Sequence, residues 1–347
     1  MKMKPQSTPL QTALVEGPLP FQAIVARDTS GKSIAEPASL ELSDLPAGDV
    51  LVEVQYSALN YKDALAVCGN RNKIMKSLPF VPGIDLVGTV VESSDPAFAA
   101  GDQVLATGWG LGERHWGGFS RYARLKKEWL TPLPAGLTPL RAMALGTAGL
   151  TAMLCVEVLE RAGVTPSSGE VVVTGASGGV GSLSVMLLAA LGYSAAAATG
   201  KSEQSEYFKS LGASRVVPRA ELDRDAKPLE KELWAGAVDT VGSRTLATLL
   251  TQIRYGGTVA ACGLAGGFDL PSTVMPFILR NVGLQGVDSV YLPADRRGPA
   301  WRRLAELLPA AQIDRIAQVA KLADIPDLAQ KMLDGKTQGR AVISLES

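Results

Sequence analysis

The chain has 347 residues, 34 Lys plus Arg against 34 Asp plus Glu, and a pI near 6.6. That length exceeds what one core usually fills and predicts two domains. The balanced charge, with no Lys/Arg run and no acidic tail, argues against a nucleic-acid partner but leaves phosphate-bearing small molecules open. Cys68, Cys155 and Cys262 are far apart along the chain. They form neither a metal-type pair nor a disulfide framework, read as small buried apolar residues, and suit a reducing, cytoplasmic setting.

Residues 1–20 lack the continuous apolar core of a signal peptide and read as a loose extension before a first strand near Phe21. From 21 to 141 the pattern is strand-rich. Val50–Tyr56 partly alternates, Leu86–Val91 is a compact apolar run, and Asp102–Ala106 follows a turn at Ala100-Gly101. Pro and Gly punctuate these runs every few residues, which predicts a small twisted β-barrel. At Thr138-Pro139 the character changes, and a helix is expected over Leu140–Arg161, ended by Gly163 and Pro166.

Residues 142–291 then alternate. Strand Val171–Thr174 precedes helix Val180–Leu191, and strand Ser194–Thr199 precedes helix Ser202–Leu211 with Ser202 as N-cap. Short strands follow near Arg215–Val217, Ala237–Val241, Thr258–Ala261 and Leu284–Val290. Such alternation predicts an α/β fold: a doubly wound parallel sheet with helices on both faces. Residues 292–347 carry helices at Leu304–Leu308 and Pro326–Leu333 and a strand, Arg340–Leu345, returning to the first domain. Val171–Gly200 has no charged residue, but its six glycines and its serines break any membrane span, so no membrane is expected.

VVVTGASGGVGS, Val171–Ser182, fits two motifs. Gly175-Ala-Ser177-Gly-Gly179 matches G-x-S-x-G, the elbow of a hydrolase nucleophile. Gly175, Gly178 and Gly181 match a turn that admits a dinucleotide pyrophosphate to a helix N-terminus. The elbow reading needs a histidine downstream, and the one histidine, His115, lies upstream. The cofactor reading is preferred over both the elbow and a turn without ligand.

At the end of the second strand an NAD site usually places a carboxylate for the ribose 2′-OH. Here Thr199-Gly200-Lys201-Ser202 has none, and Lys201 and Arg219 offer cations to a 2′-phosphate. A charged hydrogen bond of about 1.5–3 kcal/mol favours NADPH by roughly tenfold to a hundredfold. One histidine and three scattered cysteines do not make a zinc site, so no metal is expected. Hydride addition to an activated C=C bond also needs a proton. Tyr61, in Ala58–Ala64, and His115, in Gly108–Gly118, are the candidates, against packing roles for both.

With VVVTGASGGVG and PGIDLVGTV in this order, the chain from Phe21 onward resembles the medium-chain dehydrogenase/reductases. The resemblance implies a GroES-like β-barrel catalytic domain (21–141, completed by 292–347) around a Rossmann NADPH-binding domain (142–291). Zinc-dependent members carry metal ligands near the positions of Asn60–Asp63, Gly83-Ile84-Asp85 and Gly146-Thr147-Ala148. Their absence here puts the chain with the zinc-free quinone and enoyl reductases. SALNYKDALAVCG, GWGLGERHWGGFSRYARLK, GTAGLTAMLCVEVLE and the closing QGR are similar to the bacterial NADPH-dependent acrylyl-CoA reductases.

That resemblance implies reduction of acryloyl-CoA to propanoyl-CoA without metal. It puts Ser177, Gly178, Gly179 and Val180 on the pyrophosphate, and Thr199, Gly200, Lys201 and Arg219 around the 2′-phosphate. Members often have arginine at the Lys201 position; lysine keeps the charge but not the bidentate fork. Tyr61 would lie beside the nicotinamide, as cofactor contact and proton donor, with Leu264, Ile278 and Ser289 lining the groove. The alternative for these last three is ordinary strand-end and core packing. A homodimer through the edge near Gln285–Val290 is also implied. Two rivals stand beside this reading: a quinone or general enone reductase, and an NADPH-binding protein without turnover. Arg71, Lys73, Lys76, Arg114 and Arg121 would supply a basic groove for CoA, unless they are merely solvated.

Overall fold

A computed structural model describes residues 20–345; the expected extension lies largely outside them. Strands Phe21–Thr29 and Lys32–Leu40 form an antiparallel hairpin. A seven-stranded sheet is built mainly from Val50–Ala58, Asp85–Ser93 and Gln103–Thr107, each antiparallel to the next. The return segment joins this sheet: Arg340–Ser344 pairs antiparallel with Val50–Ala58 and parallel with Ala317–Lys321.

A second, six-stranded sheet is parallel throughout. Its order is Arg215–Pro218, Ala195–Thr199, Val171–Val173, Trp234–Asp239, Ile253–Ala261, Gly283–Gly286. Counted along the chain, that is 3-2-1-4-5-6, the doubly wound dinucleotide order, with its switch point beside Val171–Val173. Three of the four inner strands, Val171–Val173, Ala195–Thr199 and Trp234–Asp239, are buried at every position, as a sheet covered on both faces requires. Successive residues feed opposite cores. Val171, Val173, Ala195 and Ala197 meet the long helix and the glycine-turn helix, whereas Val172, Ala196, Ala198 and Ala237 meet Leu246, Leu249 and Leu250.

The long helix spans Pro139–Arg161, with Pro139 at N1 and the Thr138 hydroxyl accepting from the Arg141 amide at 3.3 Å. It is long and apolar enough to cross a membrane, yet it is a core helix, buried over 89% of its apolar window. One residue departs from the expected continuous helix: Gly146 has φ +52° and ψ −155°. A Cβ there would stand 2.5 Å from Asp85 Oδ2. Only glycine permits both that backbone and that approach.

Three further expectations are corrected. Ser202 opens a short 3₁₀ turn without capping through its side chain, and the α-helix begins at Ser205. The helix expected at Leu304–Leu308 runs from Ala294 to Leu307, through Gly298 and Pro299. The last parallel strand stops at Gly286, and the Val290 carbonyl instead accepts from the Trp109 amide at 2.9 Å. That backbone contact carries the chain off the sheet edge toward the first domain.

Candidate active site

The glycine turn follows Val173 and opens the helix Gly179–Ala190. Gly175 carries the positive φ of +59°, and a Cβ on Gly181 would meet the Gly175 carbonyl at 2.3 Å. The helix therefore packs against the strand end with its free N–H groups facing outward. Ser177 is not the strained residue, as an elbow nucleophile would be, and His115 is far from it in role. The His115 ring packs edge-on against Trp129 at 5.0 Å, its Nδ1 lies 3.0 Å from the Trp116 carbonyl, and burial holds its pKa below the ordinary value. It is a loop-structural histidine.

Thr199 is buried at the end of the second strand, and its hydroxyl accepts from the Lys201 amide at 3.0 Å. The exposed Arg219 lies against Gly200: a Cβ on Gly200 would come within 3.0 Å of the guanidinium carbon. The Lys201 ammonium donates to the Thr337 carbonyl at 2.8 Å, leaving two N–H groups for another partner. Two cations thus stand at the end of this strand. Leu264 and Ile278 are 66% and 72% exposed, which removes the core-packing alternative for both. Ser289 is buried, its hydroxyl accepting from Thr151 at 2.7 Å.

Tyr61 is half-exposed at the first position of the helix Tyr61–Val67. The start of that helix is fixed by a polar cluster. The Asn60 amide nitrogen of the backbone donates to Asp63 Oδ2 at 2.9 Å, and the Ile84 amide donates to Asp63 Oδ1 at 2.9 Å. The Asn60 side chain donates to Asp85 Oδ2 at 2.9 Å and accepts from Arg340 Nη2 at 3.0 Å. The break at Gly146 frees the Thr147 amide, which donates to Asp85 Oδ2 at 2.9 Å, while the Thr147 hydroxyl donates to Oδ1 at 2.5 Å.

The segments Asn60–Asp63, Gly83–Asp85 and Gly146–Ala148 therefore converge on a hydrogen-bonded charge cluster. Among the described residues no group of three or more His, Cys, Asp or Glu is placed to hold a metal. Burial, then the neighbouring Asp85, pushes the Asp63 carboxyl up to about 7. Burial raises Asp85 as well, opposed by the Thr147 hydrogen bonds.

Arg340 and Arg297 have roles that sequence reasoning missed. The Nη1 of Arg340 would stand 2.8 Å from a Cβ on Gly179, so this buried guanidinium abuts the glycine turn. Its signal was the closing QGR, whose role only the fold reveals. Arg297 is 1% exposed and donates to the carbonyls of Thr107, Ser289, Leu292 and Val290. It also stacks on Trp109 at 4.4 Å and is pulled down to about 10 by burial. It pins the Ser289–Val290 crossing to the first domain. Cys155 and Cys262, distant in sequence, are neighbours in space; Cys262 and Cys68 are only half-buried, which corrects their reading as core residues.

Residues 46–135 match the alcohol dehydrogenase GroES-like domain family, and residues 179–306 match the zinc-binding dehydrogenase family. The chain is 54% identical over 325 residues to the probable acrylyl-CoA reductase AcuI of Escherichia coli K12, covering 94% of this chain and all of that protein. The chain belongs to the medium-chain dehydrogenase/reductase family. It is also 49% identical to the acrylyl-CoA reductase AcuI of Ruegeria pomeroyi, over 94% of this chain and 100% of that one. The crystal structure of YhdH from Salmonella enterica in complex with NADP superposes with a TM-score of 0.92 at 55% identity, covering 94% and 100% of the two chains. Bacillus subtilis YhfP, solved with NAD, gives 0.91 at 44%, with the same coverage.

Among these relatives, the fold of the present chain is that of a Rossmann sheet joined to a GroES-like unit. Its own residues fit a dinucleotide: a glycine turn at a helix N-terminus, a buried arginine beside it, and two cations at the end of the next strand.

Proposed function

We propose that the protein is an NADPH-dependent acrylyl-CoA reductase. The observation that carries this reading is the near-full-length identity to proteins named acrylyl-CoA reductase. NADPH supplies the hydride that adds to the β-carbon of acryloyl-CoA; the α-carbon takes a proton, giving propanoyl-CoA and NADP⁺.

The chain's residues contribute binding and order. Ser177, Gly178, Gly179 and Val180 accept the diphosphate at the helix N-terminus, with Arg340 beside it as a fixed cation. Lys201 and Arg219, next to Thr199 and Gly200, select the 2′-phosphate. Leu264, Ile278 and Ser289 line the groove toward Tyr61. Tyr61 donates the proton from its hydroxyl, and its backbone is fixed by the Asn60–Asp63 cap. The division at 141/142 and 291/292 puts this cleft between the two domains. We further propose a cytoplasmic homodimer. The edge strand Gly283–Gly286 pairs on one side only, Leu284 on it is exposed, and Phe268, Val274 and Leu279 expose further apolar surface.

The test is anaerobic incubation of purified protein with NADPH and acryloyl-CoA, with mass-spectrometric detection of propanoyl-CoA. One propanoyl-CoA per NADPH is expected; NADPH consumption without it would refute the reading. Light scattering checks the dimer, whose absence at micromolar concentration would refute that part alone. Quinone reduction is the second reading, favoured by the 44% identity to a putative quinone oxidoreductase.

A further inference from the structure

Some surface arginines and lysines of this chain face a carboxylate. Arg121 pairs with Glu53, Lys127 with Asp95, Arg141 with Asp314, Arg215 with Glu170 and Arg303 with Glu160. One group does not. Arg71, Lys73, Lys76 and Arg114 are exposed and make no ion pair among the described residues. In a chain of zero net charge, a cluster of four unpaired cations is a local positive field.

The segment that carries three of them is built rather than loose. The Asn70 side chain clasps Met75 twice, accepting from its amide at 2.8 Å and donating to its carbonyl at 3.0 Å. Within that clasp Asn70, Asn72 and Lys73 all take left-handed backbone, with φ of 49°, 60° and 50°. Non-glycine residues hold such conformations where the surrounding structure imposes them, commonly at ligand sites. Two neighbouring carboxylates have other partners: Asp334 pairs with Lys336 at 3.0 Å while also feeling Arg71, and Glu113 pairs with Lys62 at 2.8 Å.

Its position relative to Tyr61 is defined. The helix Tyr61–Val67 presents Tyr61 at one end, spans about 10 Å, and leads into the loop at the other. The Lys62–Glu113 pair ties the first turn of that helix to the loop carrying Arg114, and the Lys76 amide donates to the Glu113 carbonyl at 3.0 Å. Arg114 donates to the Tyr291 hydroxyl, two residues beyond Ser289. The cations thus border a path leading outward from Tyr61.

We infer that Arg71, Lys73, Lys76 and Arg114 form an anion subsite for the nucleotide end of a coenzyme A thioester, taking its 3′-phosphate and diphosphate. The inference rests on the acrylyl-CoA reading and adds where the substrate's charged end is held. A pantetheine arm reaches from the reacting carbons beside Tyr61 to phosphates beyond a two-turn helix. Phosphates bound by exposed cations give a strong salt dependence.

The experiment compares the wild type with the double variant Lys73→Glu, Lys76→Glu on acryloyl-CoA and on S-acryloyl-pantetheine, which lacks every phosphate. The same two proteins, saturated with NADPH, are titrated calorimetrically with adenosine 3′,5′-bisphosphate. The subsite predicts KM for acryloyl-CoA raised about tenfold or more, kcat unchanged, and KM for the pantetheine ester unmoved. It also predicts bisphosphate binding that weakens in parallel. Equal KM values in both proteins, or a parallel rise for both esters, would overturn it while leaving the reductase reading intact. If the wild type reduces neither ester, that reading fails. The titration then decides the subsite by itself: binding lost in the variant supports it, and no binding to the wild type overturns it.

Discussion

Arg340 Nη2 donates to the Asn60 side-chain oxygen at 3.0 Å, and the same amide donates to Asp85 at 2.9 Å. One neutral side chain relays between a buried cation and a buried anion. Through it the return strand, the Tyr61 helix and the strand Asp85–Ser93 meet. Substituting Asn60→Ala leaves both charges short of a partner in a buried site. Unfolding in urea is expected to show a loss of about 2–5 kcal/mol. A loss below 0.5 kcal/mol would mean the relay is not a structural joint.

The same cluster gives a pH dependence. The Asp63 carboxyl, at about 7 in the fold, titrates near 4 when unfolded. The fold favours its protonated form, so that contribution is complete below about pH 4 and is lost as pH rises toward 7. Asp63→Asn removes the titration. Whatever the offset at pH 5, the variant should gain stability relative to wild type by up to about 1.4 kcal/mol per unit as pH rises to 7. Chemical unfolding of both proteins at pH 5, 6 and 7 measures this; parallel curves would show that Asp63 is ionised throughout.

Much of this molecule was legible, and the failures share a cause. Strands Val171–Val173, Ala195–Thr199 and Trp234–Asp239 are apolar at nearly every position, so their parallel, two-sided burial followed from composition. Arg297 was not legible. It stands between Arg296, whose side chain is 48% exposed, and Gly298, and nothing local separates a solvated arginine from one buried beneath a domain crossing. Asn60, Asp85, Thr147 and Arg340 likewise come from four separate segments. The break at Gly146 was hidden because its neighbours are good helix formers, and the reason for it, Asp85, lies 61 residues earlier. Local patterns predict elements, whereas buried polar clusters depend on what the topology brings together.

Cofactor choice is testable at two cations of unequal freedom. Arg219 is exposed beside Gly200, whereas Lys201 also serves the Thr337 carbonyl. Arg219→Ala should lower the NADPH-over-NADH preference by tenfold to a hundredfold, about 1.4–3 kcal/mol, and Lys201→Ala by less. Kd values for both cofactors from fluorescence titration decide this. Unchanged preference in the double variant would remove both residues from the 2′-phosphate site.

Tyr61→Phe removes one hydroxyl from a half-exposed ring on a capped helix. The fold and the Kd for NADPH should be unaffected, while kcat falls by about 10²-fold or more if that hydroxyl donates the proton. Unchanged kcat would assign the proton to water.

The substrate is tested most directly by kcat/KM for acryloyl-CoA against a simple quinone, with NADPH and then NADH. A preference for acryloyl-CoA by orders of magnitude is expected, and for NADPH by at least about tenfold. Turnover of the quinone alone would contradict it, leaving the family and fold in place but not the thioester chemistry.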